Sequence, residues 1–287
     1  MSRVDVRKTH KLFIGGAFPR SESGRTYEVT DSKGQFLANM ALASRKDARD
    51  AVLAARSAVA KWSAAAAYNR GQVLYRIAEV MEGRREQFIS EVSDSEGVSS
   101  RKAGAHVDAA IDRWVWYAGW ADKYAQVIGN TNPVAGPFFN FSVPEPTGVV
   151  AAVAPQDASV LGLVSVVAPI IVTGNAVIVM PSSSRPIPAI TLAECLATSD
   201  VPAGVVNILT GAPAEVMPWL AEHADVNALD LTGIVDEGVA ADLERSAAGT
   251  VKRVRGAAPH ADWYATPSLS RMRAFVEVKT VWHPMGV

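Results

Sequence analysis

The sequence predicts an α/β fold built on a doubly wound parallel sheet. The first observation is a set of short, continuously apolar runs, which are typical of strands buried on both faces of a sheet. They lie at residues 148–154, 176–180, 204–209 and 227–232. The second observation is that helical stretches alternate with these runs, at residues 159–171, 187–198 and 214–223. Such alternation indicates βαβ units, in which ligands bind at the carboxyl ends of the strands.

The N-terminal part of the sequence predicts a small strand pair and then a helix. Residues 12–14 predict a short strand, and we expect residues 26–29 to be its partner. Ser44 and Asp47 have the spacing of a capping box, which marks the start of a helix. The apolar positions that follow are spaced three and four residues apart, as on one face of an amphipathic helix. They are Ala48, Val52, Ala55, Val59 and Trp62.

Two further helices are predicted before the sheet begins. The spacing of Leu74, Ile77 and Met81 indicates a helix over residues 69–93. A third helix, over residues 102–124, carries an aromatic cluster. The cluster consists of Trp114, Trp116, Tyr117 and Trp120. Aromatic rings can stack on nucleic acid bases, but no basic surplus lies beside these, so we expect them to pack in the core or at an interface.

Composition limits the classes of protein that this sequence could encode. A net charge of −1 gives no electrostatic basis for binding nucleic acid or an anionic membrane. The longest apolar run, at residues 160–172, is too short and too interrupted to span a bilayer, and no secretory signal precedes it. Cys195 is the single cysteine, which excludes an internal disulfide, and the five histidines are too scattered to predict a metal site. We therefore expect a reduced, cytoplasmic location.

Residues 231–238 place two glycines five positions apart, where a predicted strand passes into a helix. At such a turn Gly233 and Gly238 would let the backbone approach a phosphate, and the helix N-terminus favours negative charge. The segment is not a Walker motif, because Val239 stands where that motif has lysine. Two glycines at a strand–helix turn also occur for the turn alone, so a purely structural role stays open.

Several motifs occur in an order and spacing that resemble the aldehyde dehydrogenase family. They are residues 117–121 (YAGWA), 145–150 (EPTGVV), 174–179 (GNAVIV), 202–211 (PAGVVNILTG) and 231–233 (LTG). The resemblance covers nearly the whole chain, and it implies a Rossmann-like domain with NAD or NADP as the cofactor. It makes Pro155, Gly233 and Gly238 the candidate cofactor contacts.

The groups that carry the family's chemistry are replaced in this sequence. The family's Pro-Trp-Asn strand end supplies an oxyanion-hole amide, but here it corresponds to Pro155, Gln156 and Asp157, and a carboxylate repels a developing oxyanion. The Lys-Pro-x-Glu segment that holds the adenosine ribose corresponds to residues 180–183, which read Met-Pro-Ser-Ser. The general-base glutamate would fall within residues 255–258, which contain no carboxylate. The resemblance therefore does not imply tight cofactor binding.

The segment that would carry the family's catalytic cysteine is missing from this sequence. After about residue 255 only a short connector precedes residues 272–284, which resemble the family's extreme C-terminus. Cys195 lies among apolar neighbours in a predicted helix, without a nearby histidine, so we interpret it as a buried structural thiol and assign no catalytic residue. In the connector, Trp263 and Tyr264 would either plug the cofactor cleft or cover the edge of the sheet.

Two elements through which the resemblance implies subunit association are retained. One is a hairpin at about residues 130–146, and the other is a C-terminal strand over residues 276–282. Their candidate contact side chains are Phe139, Phe141, Val143, Val278, Val281 and Trp282. We predict a Rossmann-like domain at residues 1–257 that includes the hairpin, followed at residues 258–287 by the connector and the C-terminal strand, with no catalytic domain.

The sequence lacks the family's catalytic and ribose-binding groups but retains its association elements, and this combination favours a non-catalytic subunit. It would be a structural or regulatory partner of a full-length NAD(P)-dependent aldehyde dehydrogenase, or would pair with itself. In this it resembles the degenerate second module of two-module members of the family. Two alternatives stay open: a sensor that binds NAD(P) through Gly233 and Gly238, and an oxidoreductase that acts on aldehydes only in complex with a catalytic partner.

Overall fold

The structure is a computed structural model that describes residues 7–286. Its strands, in chain order, are β1 (Thr9–His10), β2 (Thr26–Thr30), β3 (Phe36–Ala41), β4 (Asn130–Thr131), β5 (Phe138–Pro146), β6 (Val149–Val153), β7 (Ala176–Met180), β8 (Val206–Ile208), β9 (Ala228–Asp230), β10 (Arg253–Arg255) and β11 (Val276–Pro284). Its helices are α1 (Arg45–Ala64), α2 (Ala67–Gly83), α3 (Arg85–Glu96), α4 (Ser100–Trp120), α5 (Tyr124–Ile128), α6 (Leu161–Val172), α7 (Ile187–Ala197), α8 (Pro213–Glu222), α9 (Glu237–Ala248) and α10 (Ser270–Arg273).

The centre of the fold is a five-stranded parallel sheet with the strand order β10-β9-β6-β7-β8. β6 is the first strand of this sheet along the chain. β7 and β8 follow on one side of it, and the chain then crosses back, so that β9 and β10 lie on the other side. That reversal makes the sheet doubly wound, which confirms the predicted α/β fold. Every residue of β6 and β7 is buried, so neither strand shows polar alternation.

The core consists of two layers, one on each face of this sheet. Alternate side chains of β6 and β7 point to opposite faces, and each set packs with different helices. One layer includes apolar side chains of α2, α3, α4, α6 and α7, and the other includes those of α1, α8 and α9. All twelve residues of α6 are buried, which explains why this helix is apolar all round. Among residues 7–286, no helix is long and apolar enough to cross a membrane.

The predicted capping box at the start of α1 is confirmed. The Asp47 backbone N–H donates to the Ser44 hydroxyl at 3.3 Å, and the Ser44 N–H donates to the Asp47 carboxylate at 2.8 Å. The same carboxylate accepts a hydrogen bond from the Ser21 hydroxyl at 2.8 Å. Asp47 therefore fixes both the beginning of the helix and the loop that precedes β2.

The predicted pairing of residues 12–14 with residues 26–29 is wrong. β2 pairs instead with β3, an antiparallel partner that the sequence did not reveal. Phe13 forms an isolated bridge with Ile208, with N–H···O distances of 3.0 and 2.7 Å. The segment thus satisfies the outer edge of β8, a contact between residues nearly 200 positions apart that local patterns do not encode.

The helix predicted over residues 69–93 is two helices, α2 and α3. Arg84 separates them with φ −117° and ψ 15°, outside the helical range, and its carbonyl oxygen accepts the first hydrogen bond of α3 from the Phe88 N–H. The helix predicted over residues 102–124 also divides, into α4 and the short α5. Apolar periodicity continued across both breaks because all four helices pack on the same core layer.

The aromatic cluster of α4 divides between core and partly exposed surface. Trp114 and Tyr117 are fully buried. Trp116 stacks edge-on against Tyr117 with ring centroids 4.9 Å apart and tilts against Trp120 at 5.7 Å, and both outer rings are partly exposed. The cluster is therefore mainly packing, as the sequence predicted.

A third sheet joins the predicted hairpin to the C-terminal strand. β4 pairs antiparallel with β5, so the hairpin expected at residues 130–146 is present. β11 pairs with the other edge of β5 over nine residues, from Val276 opposite Pro146 to Pro284 opposite Phe138. The C-terminal strand thus finds one partner within its own chain. The predicted domain boundary at residues 257 and 258 stays a prediction.

Acid should destabilise the fold through His10. Burial, helped by the nearby charge of Lys8, lowers the pKa of His10 from 6.5 to about 4. Between these values the unfolded chain binds a proton that the folded chain does not, so His10 favours folding above pH 6.5 and opposes it as the pH falls towards 4. Between pH 7 and pH 4.5 the melting temperature of both proteins should fall, and the fall should be several degrees smaller for His10→Asn than for the unmodified chain. His260→Asn, at an exposed site, is the control, and identical losses for all three proteins would contradict the expectation.

Candidate functional site

The loops that follow β6 and β9 meet at the edge of the sheet where α/β proteins bind ligands. The Gly233 N–H donates to the Val153 carbonyl oxygen at 2.9 Å. A Cβ atom at Gly233 would lie 2.0 Å from the carbonyl oxygen of Ala154. Position 233 must therefore be glycine for the two backbones to pack, and its N–H is engaged rather than free for a phosphate. The cofactor role of Gly233 stays a prediction that its N–H does not support.

The N-terminus of α9 carries negative charge. Asp236 is the N-cap, and its carboxylate accepts the Val239 N–H at 2.9 Å. Glu237 follows in the first turn. Gly238 is the second residue of the helix, and a Cβ there would meet only the Asp236 carboxylate, at 3.1 Å. Two carboxylates compete with a phosphate for the positive end of the helix, so the site of Gly238 is electrostatically poor for a dinucleotide.

Pro155 is buried at the end of β6 and contacts the first turn of α6. A Cβ atom at Gly162 would lie 2.8 Å from the Pro155 ring, so glycine is needed for the helix to approach. This contact gives Pro155 a packing role. Its cofactor contact, implied only by resemblance, stays a prediction.

Gln156 joins the loop after β6 to the loop after β7. Its amide nitrogen donates to the Ala154 carbonyl oxygen at 2.8 Å. Its amide oxygen accepts from the N–H and the hydroxyl of Ser183, at 3.0 and 3.2 Å, and its carbonyl oxygen accepts the Ser182 hydroxyl at 2.8 Å. The side chain is therefore held by both loops through its amide oxygen and one of its two N–H groups. Asp157, the next residue, is exposed.

A buried polar group lies on the far side of the same loop. Glu96 accepts hydrogen bonds from the Ser159 N–H and hydroxyl at 2.8 and 2.7 Å. His106 Nε2 accepts the Leu161 N–H at 3.0 Å, and burial lowers the pKa of this histidine. The serine hydroxyl bonds to the carboxylate rather than to the histidine, so the trio has no Ser–His nucleophile geometry. Among residues 7–286, no group of three or more His, Cys, Asp or Glu side chains could hold a metal ion.

Cys195 is fully buried in α7, as the sequence predicted. Burial raises the pKa of its thiol to about 11, and the neighbouring Arg84 only partly opposes this rise. A thiol in this state is a poor nucleophile at neutral pH, because the thiolate is the reactive form.

The connector after β10 covers the carboxyl ends of β9 and β10. Trp263 is buried, whereas Tyr264 is 61% exposed, so only the tryptophan acts as a cover. The Arg113 guanidinium donates to the Trp263 carbonyl oxygen at 2.6 Å, and the Arg271 guanidinium lies 5.0 Å from its ring centroid. Arg271 also lies 3.4 Å from the buried Asp230. Sequence reasoning missed this cluster because its members are far apart in the chain.

The predicted association side chains lie together on the β5–β11 pair. Val281 is opposite Phe141, and Phe139 tilts against Phe141 with ring centroids 5.4 Å apart. The most exposed of the predicted set are Trp282 at 58%, Val278 at 52% and Phe139 at 44%. Because residues opposite each other in the pair share a face of the sheet, the set divides between two faces. One face carries Phe139, Phe141, Val143 and Val281, and the other carries Val278 and Trp282, with Trp282 against Phe138.

The comparisons with known proteins agree on the family. The model of the aldehyde dehydrogenase family matches residues 18–256. Cytosolic 10-formyltetrahydrofolate dehydrogenase of Xenopus tropicalis is 33% identical over 262 residues, which cover 88% of this chain and 29% of that protein. Human mitochondrial 10-formyltetrahydrofolate dehydrogenase is 30% identical over 241 residues, which cover 81% and 26%. An NAD⁺ complex of an aldehyde dehydrogenase from Bacillus cereus superposes with a TM-score of 0.81 at 26% identity, covering 86% of this chain and 50% of that one.

This chain belongs to the aldehyde dehydrogenase family, an oxidoreductase family. It matches less than a third of these two dehydrogenases and half of the Bacillus cereus structure. The predicted family and fold are therefore confirmed. The chain corresponds to part of the length of these aldehyde dehydrogenases.

NAD should bind the purified chain only in the millimolar range. The carboxylates of Asp236 and Glu237 repel the pyrophosphate, and Met180 and Ser183 offer neither the cation nor the carboxylate of the family's ribose site. Asp236→Asn keeps a capping oxygen but removes one charge, so it should tighten binding about two- to fivefold. Isothermal titration calorimetry measures this, with the exposed Asp242→Asn on the same helix as the control. A micromolar Kd for the unmodified chain would contradict the expectation.

The Cys195 thiol should resist modification in the folded chain. With a pKa of about 11, its thiolate fraction at pH 8 predicts a reaction with a disulfide reagent about two orders of magnitude slower than that of free cysteine. Absorbance of the released thiolate measures the rate. In denaturant the rate should approach that of the free amino acid. Rapid labelling of the native chain would show that the thiol is accessible and ionised.

Proposed function

We propose that this chain is a non-catalytic member of the aldehyde dehydrogenase family that acts as a structural or regulatory subunit. It associates through β5 and β11, either with a full-length aldehyde dehydrogenase or with a second copy of itself. The observation that carries the proposal is the unpaired outer edge of β11, beside an exposed apolar surface. The single cysteine, by contrast, is a buried neutral thiol and therefore a poor nucleophile.

The outer edge of β11 is ready to accept another strand. In antiparallel pairs, residues alternate between those that hydrogen-bond across the pair and those whose N–H and C=O point away. The Thr147 N–H donates to the Phe275 carbonyl oxygen, and the Met285 N–H donates to that of Pro137, so the odd-numbered residues bond towards β5. The even-numbered residues of β11, Val278 among them, therefore direct their N–H and C=O groups outward.

Proline in β5 supports the same register. Val278 lies opposite Pro144, which has no N–H to donate, as expected for a pair that is not hydrogen-bonded. Within residues 7–286, β11 is an edge of its sheet and pairs only with β5. Long edge strands with outward N–H and C=O groups favour addition of a strand from another chain.

The charged side chains of β11 do not block this edge. Lys279 is paired with Glu145 at 2.9 Å, and Glu277 is paired with Arg253 of β10. Isolated charges on an edge strand commonly prevent association, but these charges are held by partners within the chain. The exposed rings of Trp282 and Phe138, which meet edge-on at 5.7 Å, add apolar area beside the edge. Such patches are typical of protein–protein interfaces.

The chemistry of the chain supports a non-catalytic role. Cys195 is its single cysteine and is buried as a neutral thiol. Gln156 is bound to the loop after β7, and the exposed Asp157 carboxylate would repel an oxyanion. A catalytic nucleophile would therefore have to come from the partner, which then carries the cofactor as well. The lone free thiol also fits a cytoplasmic, reducing location.

Removing one outward N–H from β11 should weaken association. Val278→Pro deletes this donor without deleting a hydrogen bond to β5, whereas Val278→Thr keeps the donor and the shape of the side chain. Light scattering coupled to gel filtration should show an assembly of the unmodified chain, alone or with a full-length aldehyde dehydrogenase from the same organism. We expect at least a tenfold rise in Kd for Val278→Pro and less than a threefold change for Val278→Thr.

The same mixtures separate a structural subunit from an oxidoreductase that acts only in complex. NAD-dependent aldehyde oxidation should be undetectable with this chain alone, and the partner should keep its activity when this chain is left out. A strictly monomeric chain that binds no aldehyde dehydrogenase would refute the proposal. Activity of the purified chain that survives Cys195→Ser would refute its non-catalytic part.

A further inference from the structure

A second group of side chains, separate from the association surface, lies beneath the connector. It consists of Arg113 from α4, Arg255 at the end of β10, Arg271 in α10 and Asp230 at the end of β9, and we call it the arginine cluster. Arg113 is 8% exposed, Arg271 is 9% exposed and Asp230 is fully buried. Guanidinium groups are rarely buried to this degree unless they are paired.

The arginine cluster holds three guanidinium groups but one carboxylate. Arg271 Nη1 lies 3.4 Å from one Asp230 oxygen, and the other Asp230 oxygen accepts the Thr232 N–H at 3.0 Å. In the part of the chain that the structure describes, Arg113 and Arg255 form no ion pair with a carboxylate within 4.0 Å. Arg113, which is buried, and Arg255, which is partly exposed but has a buried Nε, are therefore left without a counter-charge beside them, which is unfavourable.

Hydrogen-bond donors are also in excess around the cluster. Arg255 Nε, the Trp263 indole nitrogen and the Tyr117 hydroxyl are buried without a partner among the described residues. Two of these three atoms can only donate, since neither guanidinium nor indole nitrogen accepts. Buried polar atoms are nearly always satisfied, so three orphans in one place indicate that a group rich in acceptors completes the site.

Tyr117 lies within the electric field of the cluster. Burial raises the pKa of its hydroxyl to about 12, and Arg271, Arg113 and Arg255 each oppose this rise, whereas Asp230 adds to it. All four charges are therefore close enough to act on one buried oxygen. Burial lowers the pKa of Arg113 and of Arg271, as expected for cations without sufficient counter-charge.

We propose that the arginine cluster binds a small dianionic oxyanion, of the chemical class of phosphate or sulfate. Such an ion would neutralise the two uncompensated charges and offer oxygen atoms to the orphan donors, which water could do only in part. Arginine suits this task because its planar fork donates two parallel hydrogen bonds to an oxyanion. The position of Asp230 and Arg255 at the carboxyl ends of β9 and β10 is where α/β sheets place ligands.

The site would be closed by the connector. Trp263 packs over Arg271, and its carbonyl oxygen is held by Arg113, so binding would fix the connector against α4. This inference is independent of the proposed association, because none of its residues lies on β5 or β11.

Calorimetry with simple ions tests the proposal on the full chain. Sodium sulfate and sodium phosphate should bind with Kd below about 1 mM in a chloride buffer of constant ionic strength, and each should raise the melting temperature. Acetate, which carries one charge, should bind at least tenfold more weakly. Tighter binding of acetate than of sulfate would overturn the dianion assignment. Absence of heat from sulfate and phosphate at 10-fold above that Kd would overturn the site itself.

Two conservative variants provide the internal comparison. Arg255→Gln removes one guanidinium group from the cluster, and it should weaken sulfate binding at least tenfold while raising the melting temperature in ion-free buffer, because an unpaired charge is lost. Arg273→Gln, on the same helix as Arg271 but exposed, should leave the sulfate Kd within twofold. Equal sulfate affinity of the unmodified chain and Arg255→Gln would show that any binding is elsewhere, whatever the folding of the variant.

Discussion

The complete burial of the β6–α6–β7 unit is the constraint on which the rest of this structure depends. No side chain in these three elements reaches solvent. Both faces of the sheet must therefore be covered, and the two core layers follow from that need. The groups that perform the family's chemistry belong to the strand ends, outside these layers. Their replacement leaves the packing intact, which is why a chain can keep the family's fold while Gln156 and the serines after β7 hydrogen-bond to each other.

The β5–β11 pair has a different physical character. β5 is paired on both edges but β11 on one only, and most of their side chains are at least partly exposed, so the pair gains little from the core. Within the chain the pair is held by its nine-residue backbone register, while the exposed ion pair of Lys279 with Glu145 adds little. The same features leave an ordered, half-satisfied strand at the surface. These outward N–H and C=O groups are the basis of the proposed association.

The connector after β10 covers the sheet at the carboxyl ends of β9 and β10. Trp263 buries its ring there, and the arginine cluster gathers under it. The sequence could predict which of the family's catalytic and cofactor-binding groups are replaced at this edge, because the replaced residues stand inside motifs of fixed spacing. It could not predict what had taken their place. No sequence motif includes Arg113, Arg255 or Arg271. Their charges come together only because α4 and α10 approach the ends of β9 and β10.

The sequence by itself determined the family, the parallel sheet, the capping box at Ser44, the buried state of Cys195 and the presence of the hairpin and the final strand. These depend on local periodicity or on ordered motifs, which a sequence displays directly. Only the tertiary structure decided that Phe13 pairs with Ile208, that Arg84 divides two helices, and that Gly233 serves the contact between two backbones. It also decided which edge of β11 is free and where three arginines meet. Each of these results depends on contacts between residues far apart in the chain, and those contacts are fixed by packing rather than by neighbours in sequence.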